Sequence, residues 1–110
     1  MRIDARIKVR VGGLADAGQG DALLLPPGIT GPAGLAMAWL DPAPGHAAGC
    51  ACCLPRNAAA QALGSLFLRR ARGEVPFFTT VLAAVGPDDA REIGAALDSD
   101  PLVSARFRAA

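Results

Sequence analysis

Three thiols within four positions are the most reactive grouping in this chain. Cys50, Cys52 and Cys53 lie in the segment Gly49-Cys50-Ala51-Cys52-Cys53-Leu54-Pro55-Arg56, and they are all the cysteines the sequence has. Thiolates prefer soft or borderline ions such as zinc and copper(I), and three of them supply most of a tetrahedral set with one position left open. His46, the only histidine, stands four residues before Cys50 and is the candidate fourth donor, as a neutral imidazole. Asp41 is another candidate, although its place before Pro42 suits a turn. Arg56 and the amino end of a helix starting near Asn57 would both lower the thiol pKa values and favour metal capture near neutral pH. The competing readings are cysteines that pack as small apolar side chains, and an Arg56 that is solvated or paired with a carboxylate.

Other cysteine chemistry fits less well. A redox pair of the thioredoxin kind has two residues between its cysteines, whereas these are separated by one residue and by none. A vicinal disulfide strains the peptide between its cysteines, and an odd count without partners elsewhere argues against a disulfide-stapled secreted fold.

The elements that would hold this segment follow from periodicity. With 110 residues the chain is expected to form a single domain over residues 1–110. Its net charge of +1, with both signs interspersed, gives no electrostatic footprint for nucleic acid. The uncharged stretch 22–40 is broken by Pro26, Pro27 and Pro32 and by Gly28, Gly31 and Gly34, which excludes a membrane-spanning helix. The amino-terminal alternation of charged and apolar residues differs from a signal peptide, so a cytoplasmic location is expected.

Ile3, Ala5, Ile7, Val9 and Val11 alternate with charged residues, which predicts a half-exposed strand over 3–11. A loop over 12–21 follows, and Ala22–Leu25 before Pro26-Pro27 reads as no more than a helical turn. Leu35–Leu40 reads as a buried strand that ends at Asp41-Pro42-Ala43-Pro44-Gly45. From Asn57 as N-cap a helix runs to Gly73, with Leu63, Leu66 and Phe67 on one face and Arg69, Arg70 and Arg72 toward its carboxyl end. Val75–Val85 is apolar on both faces, as in a central parallel strand. Gly86-Pro87 then opens a helix whose first turn holds Asp88 and Asp89 and whose buried face is Ala90, Ile93 and Leu97. A last short helix begins near Pro101 and carries Val103 and Phe107. This alternation predicts an α/β layer with a short, mainly parallel sheet of about three strands.

The segment Gly49–Arg56 resembles the Gly-Cys-x-Cys-Cys motif, followed by arginine and a helix, of the CobW-type GTPases, P-loop metallochaperones associated with cobalt, zinc and nitrile-hydratase metal delivery. Ser99–Arg108 is similar to the segment after that family's second nucleotide-site strand, and the resemblance is strongest over residues 49–108. It implies a small three-layer P-loop-NTPase-like α/β domain that lacks the carboxyl-terminal part of a full GTPase domain. It also implies a metal ion as cargo, zinc first and cobalt or copper(I) as alternatives, and a client metalloprotein or other protein as partner.

The nucleotide motifs of that family are missing from the residues. Gly13-x-x-x-x-Gly18 has Walker A glycine spacing, but Gln19 and Gly20 stand where the phosphate-binding lysine and the Mg²⁺-binding hydroxyl belong. Asp21 would bring negative charge to a helix start where phosphate sits. Ala83-Ala84-Val85-Gly86 replaces the family's Glu-Thr-Ser/Thr-Gly, and no Asn-Lys-x-Asp segment follows. The expectation is therefore a metal-binding protein without enzymatic activity or bound nucleotide. The readings that compete with it are a pseudo-GTPase interaction module or family remnant, and thiol redox or sulfur transfer at the cluster.

Overall fold

The computed structural model describes residues 5–40 and 58–110. It is an α/β fold in which five strands, β1 (Ile7–Val11), β2 (Asp21–Leu25), β3 (Met37–Trp39), β4 (Thr80–Ala83) and β5 (Phe107–Ala109), form one sheet in the order β3-β2-β4-β1-β5. Every neighbouring pair is parallel. The helices are α1 (Ala58–Ala71), α2 (Pro87–Ser99) and α3 (Pro101–Arg106).

The connections use the two faces of the sheet according to their direction. Those moving toward the β3 edge, residues 12–20 and 26–36, cover one face: Leu14, Ala17 and Leu35 pack on Leu23, Leu25 and Leu82. The described part of the return paths, through α1 to β4 and through α2 and α3 to β5, lies on the other face, where all three helices share a core with Ile7, Val9, Ala22, Leu24, Val81 and Ala83. A single crossover hand requires this division, because reversing direction along the sheet reverses the face that a same-handed connection occupies. Of the three layers expected, helix and sheet are present, while among the described residues loops form the third.

Sequence patterning accounts for most of these elements. In β1, Ile7 and Val9 are buried while Lys8 is exposed, as a half-exposed strand predicts. Helix α1 buries Ala59, Ala60, Ala62, Leu63 and Leu66, and its small alanines allow close approach to the sheet. It ends at Gly73, whose φ of +70° suits a residue without a Cβ. There the Glu74 N–H donates to Arg69 O at 2.9 Å and the Gly73 N–H to Arg70 O at 3.2 Å, closing a Schellman motif. Helix α2 opens at Gly86-Pro87 with Asp88 and Asp89 in its first turn and buries Ile93 and Ala96, while Ala90 and Leu97 are half-buried. Asp100 caps α3 by accepting from the amides of Leu102 and Val103.

Three expectations need correction. Ala22–Leu25 is no helical turn but most of β2, and all five residues of that strand are buried. A strand covered on both faces shows no polar alternation, so only its bounding Gly20 and Pro26-Pro27 mark it. The sheet has five strands rather than three, because β2 and the short β5, where Phe107 begins a strand instead of ending a helix, join it. The strand expected over 75–85 is paired only from Thr80 to Ala83; Pro76 brings no amide to a ladder, and Phe77 is exposed. The central, parallel position expected for it is the one it has, between β2 and β1.

Candidate functional site

Two places carried the functional expectations, the glycine-spaced loop after β1 and the cysteine segment. The loop is a strand-to-strand connection. Residues Leu14–Asp16 make one turn of 3-10 helix, and β2 rather than a helix follows. The helix start proposed for Asp21 is thereby corrected: Asp21 is the first residue of β2, and its side chain is 7% exposed.

Burying that carboxylate is tolerable because every lobe of it is satisfied. Arg10, from β1, donates from Nη1 to Oδ1 and from Nη2 to Oδ2, both at 2.9 Å. The Gly18 N–H donates to Oδ2 at 2.9 Å, and the Thr80 hydroxyl, from β4, donates to Oδ1. Arg10 Nη2 also reaches Asp16 O at 3.1 Å and so ties the loop to the sheet. The bidentate Arg10 bond, helped by Thr80 and the Gly18 amide, holds the Asp21 carboxyl well below the ordinary carboxylate range, while the same bond raises Arg10.

These bonds decide what the loop can do chemically. A phosphate-binding loop needs free backbone amides aimed at one point. Here the Gly13 N–H donates to Asp16 Oδ2 at 3.2 Å, the Gly12 N–H to Ala83 O at 3.2 Å and the Ala17 N–H to Leu14 O at 3.1 Å. With the Asp16 N–H on Gly13 O and the Gly18 N–H on Asp21, five of the loop's amides meet anions and carbonyls of their own chain. Sequence reasoning placed Asp21 at the right loop but missed its role, since the register of three strands is what brings Arg10, Asp21 and Thr80 together.

The carboxyl edge of the sheet, where open α/β sheets bind ligands, carries Gly12, Gly13, Pro26, Ala84, Val85 and Gly86 among the described residues. None of these six has a titratable side chain, whereas Asp88 and Asp89, in the first turn of α2, follow at the same edge. Ala83–Gly86, read above as standing in for an acidic family motif, lies at the carboxyl end of β4 and its exit toward α2.

Cys50, Cys52, Cys53 and His46, with Asp41, Arg56 and Asn57, lie outside the described residues. The described ends of their segment are well held. Leu40 is buried, and its amide donates to Leu25 O at 2.8 Å at the end of β3, while Ala59 and Ala60 are buried in the first turn of α1. Because β3 and β4 are parallel and α1 is described between them, the segment leaves the carboxyl edge of β3 and enters α1 at its amino end. Among the described residues no three His, Cys, Asp or Glu side chains gather in a way that could hold a metal ion, and no helix is long and apolar enough to cross a membrane.

Comparisons with protein families, with curated proteins and with solved structures find no match for this chain.

Proposed function

We propose that this chain binds a thiophilic metal ion, zinc in preference to cobalt or copper(I), through Cys50, Cys52 and Cys53, with His46 as the fourth donor. The observation that carries the reading is the placement of the segment's ends. The described residues that flank the three-thiol sequence are the carboxyl end of β3 and the amino end of α1, both at the edge where parallel α/β sheets hold their ligands. The donor set itself fits zinc, since thiolate sulfur with one imidazole is a common structural combination for that ion. Metal held there would tie β3 to α1 and add binding free energy to folding. In a reducing cytoplasm the thiols would stay available for it.

The resemblance to the CobW-type metallochaperones belongs to this reading, as a P-loop-like scaffold without a working nucleotide site. Two features support the second half of that statement: the missing lysine and hydroxyl at Gln19 and Gly20, and the loop amides that already serve Asp16 and Asp21. Delivery to a client metalloprotein would then need a release step other than GTP hydrolysis, for example ligand exchange in which the client's donors replace the thiolates on the metal ion one by one.

Elemental analysis of protein purified under reducing conditions, beside a C50S/C52S/C53S variant, tests the proposal. About one zinc per chain is expected in the parent and none in the variant, with far-ultraviolet circular dichroism showing that the variant still folds. Equal metal content in the two proteins would sink the assignment.

A further inference from the structure

A second surface of this chain is lined by none of the proposed metal ligands. Helices α1 and α3 border an open groove of about 380 Å³, and its charged lining residues are Arg69, Arg72 and Arg106. Among the described residues no carboxylate lines it. Leu68 of α1 and Leu102 of α3 both line the groove as exposed apolar residues, 47% and 52% accessible. Gly64 and Ser65, one turn earlier on α1, keep the wall low enough for another backbone to approach closely.

Two of the arginines, Arg69 and Arg106, are held by their neighbours. The Arg106 guanidinium lies 4.3 Å from the centre of the Phe67 ring, which holds it in place. Arg69 Nη2 donates to Met37 O at 2.7 Å, and its Nε is buried with no hydrogen-bond partner among the described residues. Arg72 makes an exposed contact of 3.8 Å to Glu74, a pair that an incoming carboxylate can replace at little cost. Fixed cations lose less side-chain entropy on binding, so a carboxylate meeting them gains more than it would from a free arginine.

We infer that this groove docks an acidic amphipathic helix from a partner protein, with its apolar stripe between Leu68 and Leu102 and its carboxylates on Arg69, Arg72 and Arg106. The charge complementarity selects an acidic partner. The two leucines select a helix with an apolar stripe over a phosphate polymer, which has no use for exposed aliphatic side chains and would look for free aromatic faces to stack on. The cations stand in the last turn of α1, just beyond it and on α3, so they come from two elements on either side of the groove, a spread that suits a helix better than a single small anion.

The test is fluorescence anisotropy with the full chain and a labelled synthetic peptide of about 18 residues, long enough to form helix on docking. The peptide carries leucine at i, i+3, i+4 and i+7 spacing and glutamate elsewhere. Saturable binding is expected, weakened about tenfold by Arg72→Glu and severalfold by Leu68→Ser or Leu102→Ser, all three at exposed positions. The C50S/C52S/C53S variant should bind the peptide as the parent does, so loss of the metal assignment leaves this one standing. Absence of saturable binding would overturn it. So would binding indifferent to Leu68→Ser and Leu102→Ser, which would be unspecific charge attraction, or tighter binding of a single-stranded oligonucleotide than of the peptide.

Discussion

On one face of the sheet three helices bury a continuous core from Ile7 to Phe107; on the other, among the described residues, two loops bury the smaller cluster of Leu23, Leu25 and Leu82. The helical face is held by side-chain area. The loop face, with less area to bury, is held by a few specific devices: the Arg10–Asp21 pair that ties the first loop, a Trp39 Nε1 bond of 2.6 Å to Ile29 O that ties the second, and Gly31 lying against Leu23. Strand β2 belongs to both faces, with Ala22 and Leu24 toward the helices and Leu23 and Leu25 toward the loops. A thin layer of loops is therefore stabilised by geometry where a helix layer is stabilised by burial.

Adjacent residues of β2 provide the strongest contrast. Leu24→Ala should cost about 3–5 kcal/mol, because rigid helices cannot close on the cavity, and Leu23→Ala about 2–3 kcal/mol, because a loop can settle into it. Chemical denaturation of the two variants measures this directly. Equal costs would mean that the loop cover is as rigid as the helices.

The ion pair that ties the first loop is next in size. Asp21→Asn leaves a half-buried guanidinium facing an amide, for an expected loss on the order of 2 kcal/mol at neutral pH, reduced from a fully buried pair because Arg10 is 37% exposed. The pH dependence has a definite sign. The folded-state pKa of Asp21 lies below its unfolded value, so the stabilisation is fully present above the ordinary carboxylate pKa of about 3.9 and is lost as pH falls below it. Denaturation midpoints between about pH 5 and pH 2 should therefore converge for parent and variant. Parallel curves would show that Asp21 does not carry the acid sensitivity.

These contrasts also show which parts of the molecule were legible in its sequence. Strand β1, helices α1 and α2 and their boundaries at Gly73 and Gly86-Pro87 were readable, because each has a local cause: alternation, a 3.6-residue stripe, a glycine with positive φ, a proline at a helix start. Strand β2 was not, since burial on both faces erases the alternation that identifies a strand. The three-residue β5 gave too short a pattern to separate from the end of α3. Arg10 and Asp21 were each noticed, one on a charged strand face and one in a loop. Their union depends on β1, β4 and β2 lying side by side, and no spacing along the chain encodes that order. The thiol cluster is the reverse case: its chemistry is plain in the sequence, and the fold contributes the placement of its two ends.

Gly31 and Leu23 sharpen the comparison at a smaller scale. A Cβ at Gly31 would overlap Leu23 Cδ1 and touch Leu14, so Gly31→Ala should cost about 1–2 kcal/mol. The double variant Gly31→Ala/Leu23→Ala removes the methyl groups that the new Cβ would meet. It should be less destabilised than the sum of the single variants by about 1 kcal/mol. Strict additivity would mean that the loop bends away from Leu23 instead of pressing on it.

The smallest expected effect lies where the loop cover ends. Lys8 and Arg10 share the loop side of β1, and Lys8 stands in register with Arg108 of β5, a like-charge neighbour on the same face. Thr80 is its register partner on β4. Lys8→Glu exchanges the repulsion for attraction and should stabilise the fold by about 0.2–1 kcal/mol at low salt. Because Lys8 is exposed, the gain should shrink as ionic strength rises and the Debye length falls below the spacing of the charges. A gain that persists in high salt would point to packing at β1 and β5 rather than charge. A loss of stability would show that Lys8 makes a favourable contact that outweighs its like-charge neighbour across β1 and β5.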